Sequence, residues 1–581
     1  MKNWIYIFYY TIFSCFVFLH KTQAQNELLT VFERDSNRSA SYEECIDYFQ
    51  KLDQRFKELN LISIGGSDVG DSLKLVIIDK NGFTNPTLIR KAGRVLLLIN
   101  NGIHPGEPEG IDASMMLARD VLLKPTLSSI LDSVSILIIP IYNVGGSKMR
   151  NNFTRVNQNG PEQYGFRGNR NYLDLNRDFI KSDAANTKTF QEMFMHWQPD
   201  VYIETHTTNG ADYPYNLTLL GAQKNKLNPV IDDLFYGEMI PYLNKAMEKD
   251  DDPICPYVNA DGSLKHGIYG FMDSPRFSSG FTSLYHCFSM LVETHMLKHY
   301  KPRVESTYRF LMHSMQYLFE QNFKLRHTRK KAFELDRQID LFCLKYKFSK
   351  TNTDSIYFSG YDTQMIYYPE LQINLHHYNP QKKYKTLIPF YDHFDCSYEV
   401  QKPKYYLLPR AYHEVTERLR RNGIELDSFT RDTMVEAWFY KIGELSSASS
   451  PYEGHFLHHQ VELKAQKMTY PYFKGDYIIS TKQKNIRYLM TVLEPGATDS
   501  YFMWNFFDGI LQRKEYFSDY LFAPVAEKLL ANDQNLKLRY LEKLANDPEF
   551  KASSSKKLAW IYEQSALVEP YYRIYPVARI E

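Results

Sequence analysis

Cysteine is scarce in this chain, six residues in 581, and no Cys-x-x-Cys pair occurs. That excludes a disulfide-stapled scaffold and argues against a cysteine-based metal site. An excess of either charge is also missing. Lys+Arg number 69 against Asp+Glu 68, so no general pull toward nucleic acid or an anionic membrane is expected. There is no low-complexity segment and no internal repeat. The uncharged apolar stretch Trp4–Leu19 is shorter than the ~20 residues a spanning helix needs. With Lys2 before it and Lys21-Thr-Gln-Ala24-Gln25 after it, it reads as a cleaved export signal over residues 1–24. Phe13 and Phe16 around Cys15 argue against lipid attachment there. The mature chain is therefore expected to be exported, periplasmic or extracellular in a bacterium, without a stable membrane span. Of Cys45, Cys255, Cys287, Cys343 and Cys396, a pair or two can join, and at least one is left over.

What is present is enough apolar residue, 44%, for large cores, in a chain long enough for two or three domains. Tyr and Phe are abundant, 45 and 37, which ordinary cores and strand faces explain more simply than an aromatic groove. Ser41–Leu59 carries apolar residues at helical spacing. Strands are expected at Leu61–Gly65, Leu73–Asp79, Arg94–Asn100, Val134–Tyr142, Asp200–His206 and Phe288–Glu293. Helices are expected at Glu109–Leu123, Asp183–Trp197, Pro229–Glu248 and Val304–Glu320. Helices alternating with buried strands indicate an α/β fold. From about Lys324 the texture changes to short β-rich stretches, Gln364–Tyr368, Leu371–Leu375 and Tyr405–Leu408, with helices at Tyr412–Arg421 and Val525–Ala545. The expected organisation is a signal at 1–24, a catalytic domain at 25–323 and a C-terminal α+β region at 324–581. That last region carries no metal or nucleophile constellation, and its aromatic run Tyr501–Phe507 reads as core.

Chemistry concentrates in four short motifs: Asn101-Gly-Ile-His104-Pro-Gly-Glu107, Asp174-Leu-Asn-Arg177, Glu204-Thr-His206 and Leu291-Val-Glu293-Thr. His104, Glu107 and His206 can supply two imidazoles and a carboxylate, the three-ligand set of a catalytic zinc site with a position left open for water. Glu293 can serve as the base for that water. Arg177 can hold an anionic substrate group as a planar, two-pronged donor. Each ligand follows or ends a strand, and in open α/β sheets such ends converge on one crevice. Glu204 and His206 share a strand face, and so do Glu293 and His295. Spacing alone leaves open which Glu-Thr-His supplies the ligand.

In this order the motifs resemble the zinc carboxypeptidase family, the carboxypeptidase A-like peptidases, over roughly Tyr42 to Leu318. The stretch Arg167-Gly-Asn169-Arg-Asn-Tyr-Leu-Asp174-Leu-Asn176-Arg177 is most similar to the bacterial branch. The resemblance implies a mixed, mostly parallel sheet with helices on both faces. It implies one zinc ion on His104, Glu107 and His206, with Glu293 as general base. It further implies Arg167 as oxyanion stabiliser, Asn176 and Arg177 as readers of the substrate's terminal carboxylate, and Asp174 as hydrogen-bond partner of His104. Two departures stand out. Asn143-Val-Gly-Gly146 replaces the family's Asn-Pro-Asp-Gly, and the mobile active-site tyrosine has no clear counterpart, with Tyr269 and Tyr285 the candidates. Arg276 is either a cation in the side-chain pocket or a loop ion pair.

The expected function is a zinc metallocarboxypeptidase that hydrolyses the last peptide bond of a substrate with a free C-terminal carboxylate, through a metal-activated water. A zinc amidase acting on cell-wall peptides or acyl-amino acids is the alternative on the same scaffold. A non-catalytic binding protein is the alternative from another class, and retention of every ligand and the base argues against it.

Overall fold

The computed structural model describes residues 28–260 and 262–581; the expected signal at 1–24 lies outside the described residues. An eight-stranded sheet runs in the order β1 (Leu59–Gly66), β2 (Ser72–Ile78), β4 (Val134–Ile139), β3 (Val95–Asn100), β5 (Val201–Thr208), β9 (Phe288–His295), β6 (Leu217–Gly221) and β7 (Cys255–Pro256). The central four strands are parallel. Antiparallel pairs flank them at β1–β2, β2–β4 and β6–β9. Every residue of β3, β4 and β5 is buried. Side chains alternate between faces along a strand, so both faces of the centre are covered. The covering helices include α1 (Tyr42–Arg55), α2 (Glu109–Leu123), α3 (Ala185–Trp197) and α4 (Tyr300–Asp336). Ser41 and Glu44 form a reciprocal capping box that starts α1.

After β3 the chain passes through α2 to β4 on one side, while β5 lies on the other side of β3. That change of direction opens a crevice at the carboxyl ends of β3 and β5. His104 follows β3, His206 is near the end of β5, and Glu293 is paired directly with His206 across β5 and β9.

The C-terminal half is built on this body. Helix α4 extends well past Glu320, through a local break at Gln321 (φ −109°, ψ 16°), to Asp336. Strand β10 (Leu341–Phe348) pairs with β13 (Phe394–Gln401), and a disulfide joins Cys343 to Cys396. Between them β11 (Asp354–Tyr368) and β12 (Ile373–Tyr391) form a long hairpin arm, which takes in the two short stretches expected there. Its base is tied to the first half of the chain by β8 (Ile268–Tyr269), which runs parallel to β12. A six-stranded sheet follows in the order β15 (Asp427–Ser428), β18 (Tyr477–Ser480), β14 (Tyr405–Leu408), β19 (Ala578–Ile580), β16 (Thr433–Ser447) and β17 (His458–Tyr472). The expected helix at Val525–Ala545 is two helices, broken at Asp533, whose side chain caps the second. Tyr501, Phe502, Trp504 and Phe507 are buried in the same apolar core as Leu98, Ile138 and Phe288. Cys45, Cys255 and Cys287 are free and buried. No helix among the described residues is long and apolar enough to cross a membrane.

Candidate active site

The turn after β3 brings the first two candidate ligands together. Glu107 N–H donates to His104 O at 2.9 Å. Gly106 is required by close approach, since a Cβ there would lie 2.7 Å from Arg155 Cδ and 3.0 Å from Gly165 O. His206 comes in from β5. Glu107 Oε2 lies 3.3 Å from His104 Nδ1 and 2.9 Å from His206 Nδ1. One ligand atom from each of the three residues falls within 4.8 Å of the others, and among the described residues this is the one such cluster.

Both imidazoles are aimed by a carboxylate behind them. His104 Nε2 faces Asp174 Oδ1 at 3.0 Å, and His206 Nε2 faces Glu204 Oε1 at 2.8 Å. Each Nε2–H donating outward leaves the Nδ1 lone pair turned to the centre, the tautomer a metal ligand needs. Glu204 is fixed in turn by the Tyr202 hydroxyl at 3.2 Å, which itself accepts from Asn100. Two imidazole nitrogens and one carboxylate oxygen, buried and held from outside, fit zinc. Burial opposes the Asp174 charge, and His104, Arg167 and Arg177 together keep that carboxyl well below its ordinary value.

The two Glu-Thr-His sequences part ways here. Glu204 is fully buried behind His206, so it orients the ring and does not face the cavity. His295 is taken up structurally, with Nε2 2.7 Å from Ala211 O and Nδ1 accepting from Leu297 N–H. Glu293 lines the cavity together with His104, Glu107, Arg167, Asn176, Arg177 and His206. Burial pushes the Glu293 carboxyl up to about 7, with His206 opposing and Glu107 adding to the rise. The cavity measures about 560 Å³, and Leu220, Leu291, Phe271 and Phe277 give it an apolar wall.

Asp174 stands just behind the cavity lining. Arg167 donates to its Oδ2 at 2.8 and 3.1 Å and lies 3.4 Å from Glu107 Oε1. Asn176 Oδ1 accepts from Ser278 N–H at 3.1 Å. The Arg177 guanidinium lies over the Phe277 ring, 4.5 Å from its centroid, and donates to Asn176 O at 2.8 Å. Its nearest carboxylate oxygen, on Asp174, is 3.9 Å away.

Neither expected tyrosine reaches the cavity. Tyr269 stacks on Tyr391 at 4.9 Å, and Tyr285 is buried with its hydroxyl on Asn422. The tyrosine that does line it is Tyr257, just after the two-residue strand β7, where no periodicity marks it. Burial raises its hydroxyl pKa, with Glu293 adding to the rise. Arg276 is the loop ion pair of the two readings, donating to Asp499 at 2.8 Å. Arg155 was not anticipated. It donates to Glu107 Oε1 at 2.8 Å and to Thr207 O at 2.9 Å, bracing the carboxylate ligand.

The geometry carries a first prediction. Glu204→Gln keeps an oxygen for His206 Nε2–H but removes the negative charge. Zinc affinity is expected to fall ~10- to 100-fold, the usual cost of losing such a partner. Competition with a chromogenic chelator measures it, and an unchanged affinity would deny Glu204 this role.

Residues 45–265 match the family model described as zinc carboxypeptidase. The chain is 20% identical over 429 residues to carboxypeptidase 2 of Trichophyton tonsurans and of Trichophyton rubrum, covering 69% of this chain and 72% of each relative. Among solved structures it is similar to a metallo-carboxypeptidase from Burkholderia cenocepacia, at TM-score 0.37 and 16% identity, covering 49% of this chain and 70% of that one. The matched segment contains His104, Glu107 and His206, so the one cluster among the described residues able to hold a metal ion lies within the part of the chain that is similar to zinc carboxypeptidases.

Proposed function

We propose that this enzyme removes the C-terminal residue from peptides that end in a free carboxylate. His104, Glu107 and His206 would hold the zinc. Zinc supplies a Lewis acid for the scissile carbonyl and lowers the pKa of water toward neutrality. Glu293 takes the proton from the attacking water and passes it to the leaving amine. Arg167 donates to the carbonyl oxygen as negative charge develops there. Asn176 and Arg177 bind the terminal carboxylate, and the wall of Leu220, Leu291, Phe271 and Phe277 receives an apolar last side chain. Glu293 and the Arg177 clamp are the parts that make the reaction a hydrolysis at a chain end.

One observation carries this reading. Arg177 lines the catalytic cavity, its guanidinium over the Phe277 ring, and among the described residues no carboxylate lies in hydrogen-bonding range of it. A guanidinium held in this way matches a carboxylate in geometry, and an amide in the carboxylate's place leaves the cation unpaired. A peptide ending in leucine is therefore expected to be cleaved roughly 100-fold or more faster as the acid than as its C-terminal amide. In Arg177→Ala that ratio should collapse to about unity while zinc stays bound. Paired kcat/KM measurements decide it. Equal wild-type rates on acid and amide would refute the carboxypeptidase specificity and favour the amidase. We further propose export to an oxidising compartment, which the Cys343–Cys396 bond supports.

A further inference from the structure

The connection between β16 and β17 ends in a tight turn at Tyr452-Glu453-Gly454-His455. Tyr452 N–H donates to His455 O at 2.8 Å, and His455 N–H returns to Tyr452 O at 3.0 Å. Glu453 and Gly454 both have positive φ, 49° and 85°, as a two-residue hairpin of this hand demands. Glycine meets that demand freely, whereas a glutamate in the left-handed region is uncommon. The tip is anchored on both sides. Tyr452 stacks on buried Trp504 with centroids 6.2 Å apart, and His455 Nε2 sits 2.8 Å from Asp183 Oδ2.

Held in this way, Glu453 Oε2 accepts a hydrogen bond from Asp174 N–H at 2.8 Å, across 279 residues of sequence. Asp174 is where the active-site loop is pinned. Its Oδ1 meets His104 and the Asn176 N–H, and its Oδ2 meets Arg167. Farther along, Arg418 donates to Lys181 O at 2.6 Å and to Asp183 Oδ1 at 3.1 Å. The loop from Asp174 to Asp183 is thus gripped at both ends by the C-terminal region, with Asn176 and Arg177 between the grips.

We propose that Glu453 is a positioning residue of the active site, fixing the Asp174 backbone so that Asn176 and Arg177 face the substrate's terminal carboxylate. The inference rests on the carboxylate-reading role of Arg177 proposed above. It gives the C-terminal half a share in substrate recognition, exerted through one carboxylate oxygen.

The test uses the full chain loaded with zinc and a leucine-terminated peptide as acid and as amide. In Glu453→Ala, KM for the acid is expected to rise about 10-fold and the acid-to-amide ratio to fall by a similar factor, the scale of one lost hydrogen bond. Zinc stoichiometry and Tm should not move. Glu453→Gln keeps an acceptor oxygen at the same reach and should restore KM to within about 2-fold of wild type. Glu453→Asp tolerates the left-handed turn but is one methylene short, so it should behave like alanine with the fold preserved. A wild-type acid-to-amide ratio in both the Ala and Asp variants would overturn the proposal, as would a Gln variant as impaired as Ala. A wild-type enzyme without acid preference instead sinks the reading of Arg177, and Glu453's role with it.

Discussion

Glu293→Gln should keep its zinc and lose ~100-fold or more in kcat, the scale of acid–base catalysis. The substitution preserves volume and hydrogen-bonding shape but removes the ability to take a proton. Glu293 pairs in register with His206 and lies on the cavity. The other nearby carboxylates are committed, Glu107 to the metal set and Glu204 to His206. Metal content by plasma emission beside single-peptide kinetics makes the comparison. Near-normal turnover with full zinc would remove Glu293 from the chemistry.

His206→Ala is expected to have an equally large effect by a different route. It deletes one of three ligands and leaves Glu204 buried without the ring it orients. Two remaining ligands do not make a zinc site of useful affinity, and an uncompensated buried carboxylate adds its own desolvation cost. Most zinc should be lost on dialysis, and activity should fall to background. Added zinc at micromolar concentration should not restore it. A fully loaded, active His206→Ala enzyme would overturn the ligand assignment.

The main sheet and the grouping of the candidate site residues could be read from the sequence because each candidate ligand sits where an apolar run stops. That placement is a strand-end signal independent of distance. The role of Glu204 could not be read in this way. A carboxylate two residues from a histidine can be base, ligand or orienter, and only the direction in which the imidazole nitrogens face separates these roles. Tyr257 follows a strand of two residues, too short to have a period. In the arm of β11 and β12 and the hairpin of β16 and β17, outward positions also carry apolar residues, among them Tyr357, Tyr367, Met434 and Trp438, and these blur the alternation set by inward Phe358, Ala437 and Phe439. Glu453 contacts Asp174 only through tertiary structure, and nothing local to either residue announces the pair. The continuation of α4 beyond Glu320 was hidden for a related reason, since the break at Gln321 shifts the apolar stripe midway.

The disulfide between Cys343 and Cys396, 53 positions apart in sequence, closes a covalent ring around the hairpin arm. Tyr367, Leu371 and Leu375 near the arm's tip are exposed, the sort of place where proteases cut first. Within this covalent ring a single nick does not divide the molecule. Both pieces stay joined through sulfur, and β10 and β13 remain stapled at the root. Damage to the arm is thereby confined to the arm, and the strands that anchor it to the enzyme's body keep their pairing until a reductant opens the ring.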